Sequence, residues 1–223
     1  MQKNQCGAEA LFDLAHTMAG EYISGFEFPW QALKGLKDFI ISLGGALGDD
    51  YVEVSENVWV HKTAKIAPTA YLGAPCIIGA ETEVRHCAFI RGSALIGCGC
   101  VIGNSVEIKN SILFDGVQTP HYNYVGDSIL GYKAHMGAGS ITSNVKSDKS
   151  LVSVKFSDGV IESGMKKFGA MLGDFVEVGC NSVLNPGTVI GRNTSVYPLT
   201  SVRGAIDGGS IVKSGKVEII KRK

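Results

Sequence analysis

The sequence predicts an all-β fold in which short strands stack as the coils of a parallel β-helix, preceded by a small helical segment. The main observation is a run of aliphatic residues spaced six apart, namely Val60, Ile66, Leu72, Ile78, Val84, Ile90, Ile96, Ile102 and Ile108. The residue four places after most of them is small, and in an extended strand it faces the same side as the next aliphatic residue. The 29 glycines among 223 residues suit a fold made mostly of turns. A period this short is typical of a stacked-coil solenoid.

Residues 1–50 lack this period and are predicted to form two amphipathic helices. Apolar residues between Leu11 and Ile23 recur at intervals of three and four. A second helix is expected to begin at Pro29 and to end at Gly44 and Gly45. Two helices this apolar need a surface to cover.

The solenoid offers such a surface. Ile77, Leu95 and Leu113 are predicted to face outward and recur every eighteen residues. If three hexads make one coil, they form one apolar stripe. Either the helices or a neighbouring subunit could cover this stripe.

The hexad pattern is interrupted twice. Between Ile108 and Tyr124 the phase slips by four residues, which predicts a bulge or short loop over SILFDGVQTPHYN. A polar, lysine-rich stretch then separates Thr142 from Leu172. We therefore divide the chain into a helical segment at 1–50, a β-helix over 51–205 with an insertion at 143–171, and a C-terminal tail over 206–223. Insertions in a solenoid project from one face, which is commonly where ligands bind.

Composition excludes several classes of protein. Lys plus Arg and Asp plus Glu both number 21, so no net charge attracts nucleic acid or an anionic membrane. No stretch approaches the roughly 20 apolar residues of a membrane span, and the N-terminus lacks the apolar core of a signal peptide, so we expect a cytoplasmic protein. Cys76 and Cys100 occupy the small inward position, where packing is their expected role.

Two cations replace the small residue that usually follows each aliphatic position. Arg91 and Lys109 are eighteen residues apart, so their side chains should leave the same corner of adjacent coils. The spacing between neighbouring strands would then separate them by roughly 5 Å. Two cations this close favour a bound anion such as phosphate. Alternatively, both reach solvent or pair with Glu107 or Asp115, and spacing alone does not decide between these readings.

His121 is the histidine with the strongest case for catalysis. It lies in PHYNYVGDS, shortly after Lys109, and Pro120 restrains the backbone there. An imidazole near a cationic pocket could accept a proton from a nucleophile, because its pKa is ordinarily near neutrality. His135, just before MGAG, could line the same wall. On spacing alone, however, a loop histidine is more often a surface residue.

Several motifs carry a resemblance to a known family. They are, in chain order, FIRG, NSVEIKN, HYNYVGDSILG, MGAGSITSN and FGAMLGDFVEVGCNSVLNPGTVIG. The hexads resemble the left-handed parallel β-helix of bacterial acyltransferases. More narrowly, the motifs resemble the acetyltransferase half of bifunctional N-acetylglucosamine-1-phosphate uridylyltransferase/glucosamine-1-phosphate acetyltransferase, over roughly residues 60 to 205. The uridylyltransferase half, with its Gly-rich nucleotide loop, has no counterpart in this sequence.

The resemblance implies an acetyl-CoA-dependent transferase that needs no metal. Its expected reaction converts glucosamine 1-phosphate to N-acetylglucosamine 1-phosphate, a step of UDP-N-acetylglucosamine biosynthesis. It implies that Arg91 and Lys109 bind the sugar phosphate, and that Glu107 orients His121 as the general base. The other contacts that it implies are with the substrate at Tyr124, His135 and Asn144, and with the cofactor at Ala138, Cys180 and Pro198. Ala138 would use its backbone N–H to hold the thioester oxygen.

Three of these positions depart from the family. His135, Cys180 and Pro198 stand where it has an asparagine, a serine and an alanine, which weakens the prediction of the sugar and of CoA docking. The resemblance also implies a homotrimer with active sites between subunits.

Two alternatives stay open. One is a non-catalytic scaffold, or a sensor of nucleotide sugars that serves a separate nucleotidyltransferase; such chains are often labelled UDP-N-acetylglucosamine pyrophosphorylase-like. The other is a γ-class carbonic anhydrase. It is less favoured, because His86, His121 and His135 do not reproduce the spacing of zinc-binding histidines.

Overall fold

A computed structural model describes residues 1–213 and 216–219, and its strands form a parallel β-solenoid, which confirms the predicted all-β solenoid. In chain order, the strands are β1 (Tyr51–Ser55), β2 (Val58–His61), β3 (Lys65–Ile66), β4 (Tyr71–Leu72), β5 (Cys76–Ile78), β6 (Glu83–Val84), β7 (Phe89–Ile90), β8 (Ala94–Ile96), β9 (Val101–Asn104), β10 (Glu107–Leu113), β11 (Gln118–His121), β12 (Tyr124–Leu130), β13 (His135–Met136), β14 (Ile141–Thr142), β15 (Val152–Phe156), β16 (Gly159–Met165), β17 (Ala170–Leu172), β18 (Glu177–Val178), β19 (Val183–Leu184), β20 (Thr188–Ile190), β21 (Ser195–Val196), β22 (Ser201–Val202), β23 (Ala205–Ile206), β24 (Ser210–Lys213) and β25 (Lys216–Ile219).

The strands of the solenoid pair in three columns, which we call the first, second and third faces. The first face contains β2, β5, β8, β17, β20 and β23. The second contains β3, β6, β9, β11, β13, β18, β21 and β24, and the third contains β4, β7, β14, β19 and β22. Strands β10 and β12 are long enough to turn from the third face onto the first, so they belong to both. Pairing within each face is parallel, whereas β1 and β25 add antiparallel strands to β2 and β24.

The segment predicted as a bulge or loop between Ile108 and Tyr124 is regular structure, and that prediction is wrong. Strand β10 pairs with β7 at an offset of eighteen residues before the corner, and with β8 at an offset of seventeen after it. One residue is therefore missing at the corner, where Lys109 and Asn110 occupy the place of Arg91, Gly92 and Ser93. The coil stays continuous because a corner can lose a residue without breaking either flanking strand.

This missing residue also corrects which side chains face outward. Because side chains alternate along a strand, a shift of one residue exchanges the two sides. Leu113 pairs with the inward Ile96, and Ile112 takes the outward position beside Leu95. In the next coil, the residue beside the inward Ile108 is Val125, not Tyr124.

The chain's own helices cover the apolar stripe, which answers the question that the sequence left open. Helix α1 spans Ala8–Leu11, α2 spans Gly20–Ser24 and α3 spans Leu36–Gly44. Helix α3 packs on β5, β8 and β10, and the outward Ile77 and Leu95 are fully buried beneath the helices. A Cβ atom at Gly44 would lie 2.3 Å from the ring of Trp59, so a glycine allows this close approach.

The two continuous amphipathic helices predicted for residues 1–50 are broken into short pieces, although the second helical stretch begins at Pro29 and ends at Gly44 as predicted. Besides α1, α2 and α3 the segment contains 3-10 turns at Lys3–Gln5, Leu14–His16 and Pro29–Lys34. The N–H of Asp13 donates to the carboxylate of Asp174 at 2.7 Å, and Leu11 accepts from the N–H of Asp174, so the first helix ends on the solenoid. The second is interrupted where the carbonyl of Ala32 accepts from the Tyr22 hydroxyl at 2.6 Å. Hydrogen bonds to distant parts of the chain have replaced the helical ones.

The insertion folds as the antiparallel hairpin of β15 and β16. It packs against β23 of the first face, and Ser157 donates to the carbonyl of Met1 through both its N–H and its hydroxyl. The rings of Trp30 and Phe168 meet at 5.4 Å where the insertion returns to the solenoid. The hairpin thus continues the cover that the N-terminal segment gives to the first face. No helix in the described ranges is both long and apolar enough to cross a membrane.

The buried cysteines pack as predicted. Cys76 and Cys100 are almost fully enclosed, and all six cysteines are free. Burial raises the pKa of both thiols to about 12. These two side chains therefore act as small apolar residues of the core.

Candidate active site

Arg91 and Lys109 lie on adjacent coils at the corner where the third face turns into the first, which we call the cation corner. The N–H of Arg91 donates to the carbonyl of Ile108 at 2.8 Å, so Arg91 and Lys109 are neighbours across the parallel pairing. Their shared corner was predicted from the spacing of eighteen residues. The stacking of parallel strands brings them together.

Each cation already has a carboxylate partner, which is one of the alternatives that the spacing left open. Arg91 donates to Glu107 at 2.7 Å, as the alternative reading allowed. Lys109 pairs with Asp127 at 3.1 Å rather than with Asp115. Glu107 precedes Lys109 by two residues on the same side of β10, and Asp127 occupies the corner of the next coil.

Asp127 is the centre of this corner. Asp127 is only 4% exposed, and its backbone is in the left-handed region at φ 49°. Its carboxylate accepts hydrogen bonds from the side chains of Lys109, Asn110 and Asn144. Asn144 also donates to the hydroxyl of Tyr124 at 3.1 Å. Burial, followed by the charges of Asp127 and Glu107, raises the pKa of Tyr124, so its hydroxyl keeps its proton.

Sequence reasoning found Tyr124 and Asn144 through the family resemblance but missed Asp127 and Asn110. Asp127 lies eighteen residues after Lys109, but the register between β10 and β12 is seventeen, so the repeat did not place Asp127 directly opposite Lys109. Nothing in the sequence distinguished Asn110 from an ordinary turn residue.

The corner where the second face turns into the third carries a second group of predicted residues, and we call it the histidine corner. A ladder of backbone hydrogen bonds joins successive coils there. Each bond joins a backbone N–H to a backbone carbonyl of the preceding coil. The N–H of Gly139 donates to the carbonyl of His121 at 3.0 Å, that of Asn181 to the carbonyl of Ala138 at 2.8 Å, and that of Leu199 to the carbonyl of Cys180 at 2.9 Å.

This ladder places four of the predicted residues in one column. His121, Ala138, Cys180 and Pro198 occupy equivalent positions on four consecutive coils, in accordance with the register of β11, β13, β18 and β21. Residues that are distant in sequence thus form a continuous edge.

The imidazole of His121 is free in the described part of the chain. His121 is exposed, and its only polar contacts there are through its backbone. The resemblance implied that Glu107 orients this imidazole, but within the described residues its carboxylate makes no hydrogen bond to His121 and accepts from Arg91. The N–H of Ala138 likewise has no partner among the described residues. One base and one hydrogen-bond donor are therefore open at the same corner.

The two corners border the same third face. The start of β12 runs along this face from Tyr124, three residues after His121, to Gly126, which pairs with Lys109 on the preceding coil. Three residues of a strand span about 10 Å. A small ligand lying across Tyr124 could therefore touch both corners.

His135 lies elsewhere on the chain. It begins β13 on the second face, three residues before Ala138, and its Nδ1 lies 2.8 Å from the carboxylate of Glu177. The expectation that His135 lines the same wall as His121 is therefore not met within one chain. The described residues contain no group of three His, Cys, Asp or Glu side chains that could hold a metal ion.

Comparison with known proteins agrees with the family resemblance. Residues 83–205 match the family model described as the GMPPB C-terminal domain. A bifunctional sugar-1-phosphate nucleotidylyltransferase/acetyltransferase of Sulfurisphaera tokodaii is 30% identical over 189 residues, which cover 83% of this chain and 47% of that protein. Bifunctional protein GlmU of Methanococcus aeolicus is 31% identical over 199 residues, which cover 87% of this chain and 48% of the relative. The chain thus spans about half the length of the curated relatives it matches.

A solved structure is also similar in part. The acetyltransferase domain of PglB from Neisseria gonorrhoeae, in complex with acetyl coenzyme A, aligns with a TM-score of 0.39 and 16% identity over 72% of this chain and 56% of that one. The resemblance to β-helix acyltransferase domains is confirmed by the sequence relatives. With more than half of its residues matched to the family model, the chain belongs to the GMPPB C-terminal domain family.

Proposed function

We propose that this chain transfers the acetyl group of acetyl-CoA to the amine of an amino-sugar phosphate, with glucosamine 1-phosphate as the first substrate to test. The name of the Sulfurisphaera tokodaii relative, a bifunctional sugar-1-phosphate nucleotidylyltransferase/acetyltransferase, supports this proposal. The observation that carries the proposal is the hydrogen bond from the N–H of Gly139 to the backbone carbonyl of His121. It sets Ala138 beside His121, while neither the imidazole nor the N–H of Ala138 has a partner among the described residues.

The reaction needs few groups. His121 takes a proton from the substrate amine, and the amine nitrogen forms a bond to the thioester carbon. The oxygen that gains negative charge accepts a hydrogen bond from the N–H of Ala138. The carbon–sulfur bond then breaks, the amide is released, and the CoA thiolate takes the proton back from His121. The CoA lies along the column of Cys180 and Pro198.

The cation corner binds the other end of the sugar. Lys109 and Arg91 are the donors for the phosphate, and Tyr124 and Asn144 contact the sugar ring. Because Glu107 and Asp127 neutralise both cations in the free chain, phosphate binding must shift these pairs rather than fill an empty site. The cost of that rearrangement favours a ligand with a full phosphate charge over a neutral sugar.

The test is thiol release from acetyl-CoA in the presence of glucosamine 1-phosphate. His121→Ala should lower kcat by about 100-fold or more, the usual contribution of a general base. The matched control is His86→Ala, because His86 is an exposed histidine of the same corner on an earlier coil, where it contacts Thr69. Full activity of His121→Ala, or equal losses in the two variants, would exclude the proposed base.

We also propose that the chain works as a homotrimer of left-handed β-helices, with the third face and the histidine corner at the subunit boundary. Large apolar residues are exposed there: Tyr71 at 60%, Phe89 at 43%, Tyr122 at 64% and Leu199 at 79%. Clusters of exposed apolar side chains mark protein interfaces. Sedimentation equilibrium should give the mass of three chains, and Leu199→Glu should lower it. A monomer at micromolar concentration would contradict this assembly.

A non-catalytic module that senses a nucleotide sugar is the second candidate. The observation that favours it is the pairing of both cations with carboxylates, since such pairs can hold the corner together without taking part in a reaction. Calorimetry separates the two proposals. Binding of a nucleotide sugar without any binding of CoA would favour the sensor.

A further inference from the structure

We propose that Asn123 is a positioning residue that fixes the distance between the imidazole of His121 and the N–H of Ala138. This inference rests on the proposed acetyl transfer. Asn123 follows His121 by two residues, in the turn that joins the second face to the third. It is 2% exposed, which is unusual for a side-chain amide in a turn.

The amide of Asn123 bonds to both turns of the histidine corner. Its Oδ1 accepts from the backbone N–H of His121 at 3.2 Å. Its Nδ2 donates to the carbonyl of Gly137 at 2.8 Å and to the carbonyl of Ser140 at 3.1 Å, and lies 3.1 Å from the Ser140 hydroxyl. Gly137 and Ser140 bracket Ala138, so a single side chain connects the turn of the base to the turn of the N–H donor.

The turn that carries Ala138 needs this outside support. Ala138 lies between Gly137 and Gly139, and Gly139 adopts φ +70°. Glycine on both sides gives the backbone more freedom than any other pair of residues. Backbone bonds join this turn to the neighbouring coils, and the amide of Asn123 adds a side-chain restraint on both sides of Ala138. A displacement of about 1 Å between reacting groups can cost on the order of 100-fold in rate.

Only a neutral amide meets both demands at this position. The side chain accepts from the N–H of His121 and also donates to the carbonyls of Gly137 and Ser140, of which that of Gly137 accepts in addition from Ser140. A carboxylate supplies only acceptors, and a hydroxyl supplies one donor for two carbonyls. The bonding pattern therefore assigns Asn123 to the alignment of the two open groups.

Asn185 provides a matched control. It is also a buried amide, 8% exposed, and its Nδ2 donates to the carbonyl of Val202 at 2.8 Å and to the Ser201 hydroxyl at 3.0 Å. It lies after β19, where the third face turns into the first, away from His121. A purely structural role for buried amides predicts the same consequence for both residues.

The experiment compares Asn123→Ala and Asn185→Ala by their acetyl-transfer kinetics and thermal stability. Asn123→Ala should lower kcat by about 10- to 100-fold and leave both KM values within about threefold, because alignment and not binding is lost. Asn185→Ala should lower the thermal midpoint by a similar amount but keep kcat within about twofold. Asn123→Ser, a milder change that keeps one donor, should lose less kcat than Asn123→Ala. Wild-type kcat in Asn123→Ala, or an equal loss in Asn185→Ala, overturns the inference.

Amide hydrogen exchange separates this inference from the proposed function, because it requires no activity. Exchange at the Gly139 N–H, which bonds to His121, should become at least about tenfold faster in Asn123→Ala, while exchange at the Asn181 N–H stays unchanged. Unchanged exchange at Gly139 overturns the positioning role even if the wild type acetylates sugars. A wild type without acetyl transfer defeats the proposed function, and the exchange result alone then decides whether Asn123 holds the two turns together.

Discussion

At the cation corner Arg91 and Lys109 are each paired with a carboxylate, whereas at the histidine corner the imidazole of His121 and the N–H of Ala138 have no partner in the described part of the chain. The first corner is closed by a buried carboxylate, that of Asp127, and keeps its shape without a ligand. The second is held by backbone bonds and by Asn123, and its reactive groups face outward. The difference shows that one edge of the third face is held by paired charges and the other by hydrogen bonds between uncharged groups.

The largest expected effect tests whether Asp127 stabilises the cation corner. Asp127→Ala removes the acceptor of three donors and leaves Lys109 without a counter-charge, so the free energy of unfolding should fall by about 2–3 kcal/mol. Urea denaturation measures it. The control is Glu177→Ala, which removes a carboxylate that is 54% exposed from its contact with His135. That variant should lose less than about 1 kcal/mol. Equal losses of unfolding free energy in the two variants would show that Asp127 stabilises the chain no more than an exposed carboxylate does.

The next effect tests whether the cation corner binds phosphate. Lys109→Met should raise the KM for glucosamine 1-phosphate by about 30-fold, since a charge-assisted hydrogen bond contributes about 2 kcal/mol. The KM for acetyl-CoA should stay within about twofold. The control is Arg85→Met, because Arg85 is paired with Glu83 at 3.0 Å and lies at the histidine corner. If both variants raise the KM equally, the phosphate is not bound at Lys109.

The smallest effect tests whether CoA lies along the histidine corner. Cys87, Cys98 and Cys180 are exposed and should react with a thiol reagent at pH 8. Acetyl-CoA should slow the labelling of Cys180 several-fold and leave that of Cys87, which lies on the same corner two coils before His121, unchanged. Protection of Cys87 and not of Cys180 would move the cofactor to the other end of the column.

The buried thiols supply the internal standard of that experiment. Burial raises the pKa of Cys76 and Cys100 to about 12, so both stay protonated as the pH rises from 7 to 9. The thiolate is the reactive form, and only the exposed cysteines should therefore react faster over this range. Labelling of the buried pair should require unfolding.

The sequence predicted the positions of the site better than their contacts. A period of eighteen residues is enough to stack Arg91 on Lys109, because parallel strands repeat at a fixed spacing. Their carboxylate partners were not predicted as such, since the choice between solvent, an anion and an acid depends on where flexible side chains meet. Asn123 gave no signal at all. A polar residue in a turn is ordinary until the fold buries it between two other turns.

The inward pattern of the coils was determined by the sequence wherever the period is unbroken, because apolar residues at regular spacing must share one side of each strand. The loss of one residue at the corner beside Asn110 was apparent only from the tertiary structure, since a corner can shorten without changing the composition of either strand. The N-terminal segment shows the same limit. Its apolar residues predicted that it needs a surface to cover but did not choose that surface. Its helices end where Asp174 and Tyr22 offer hydrogen bonds that local sequence cannot reveal.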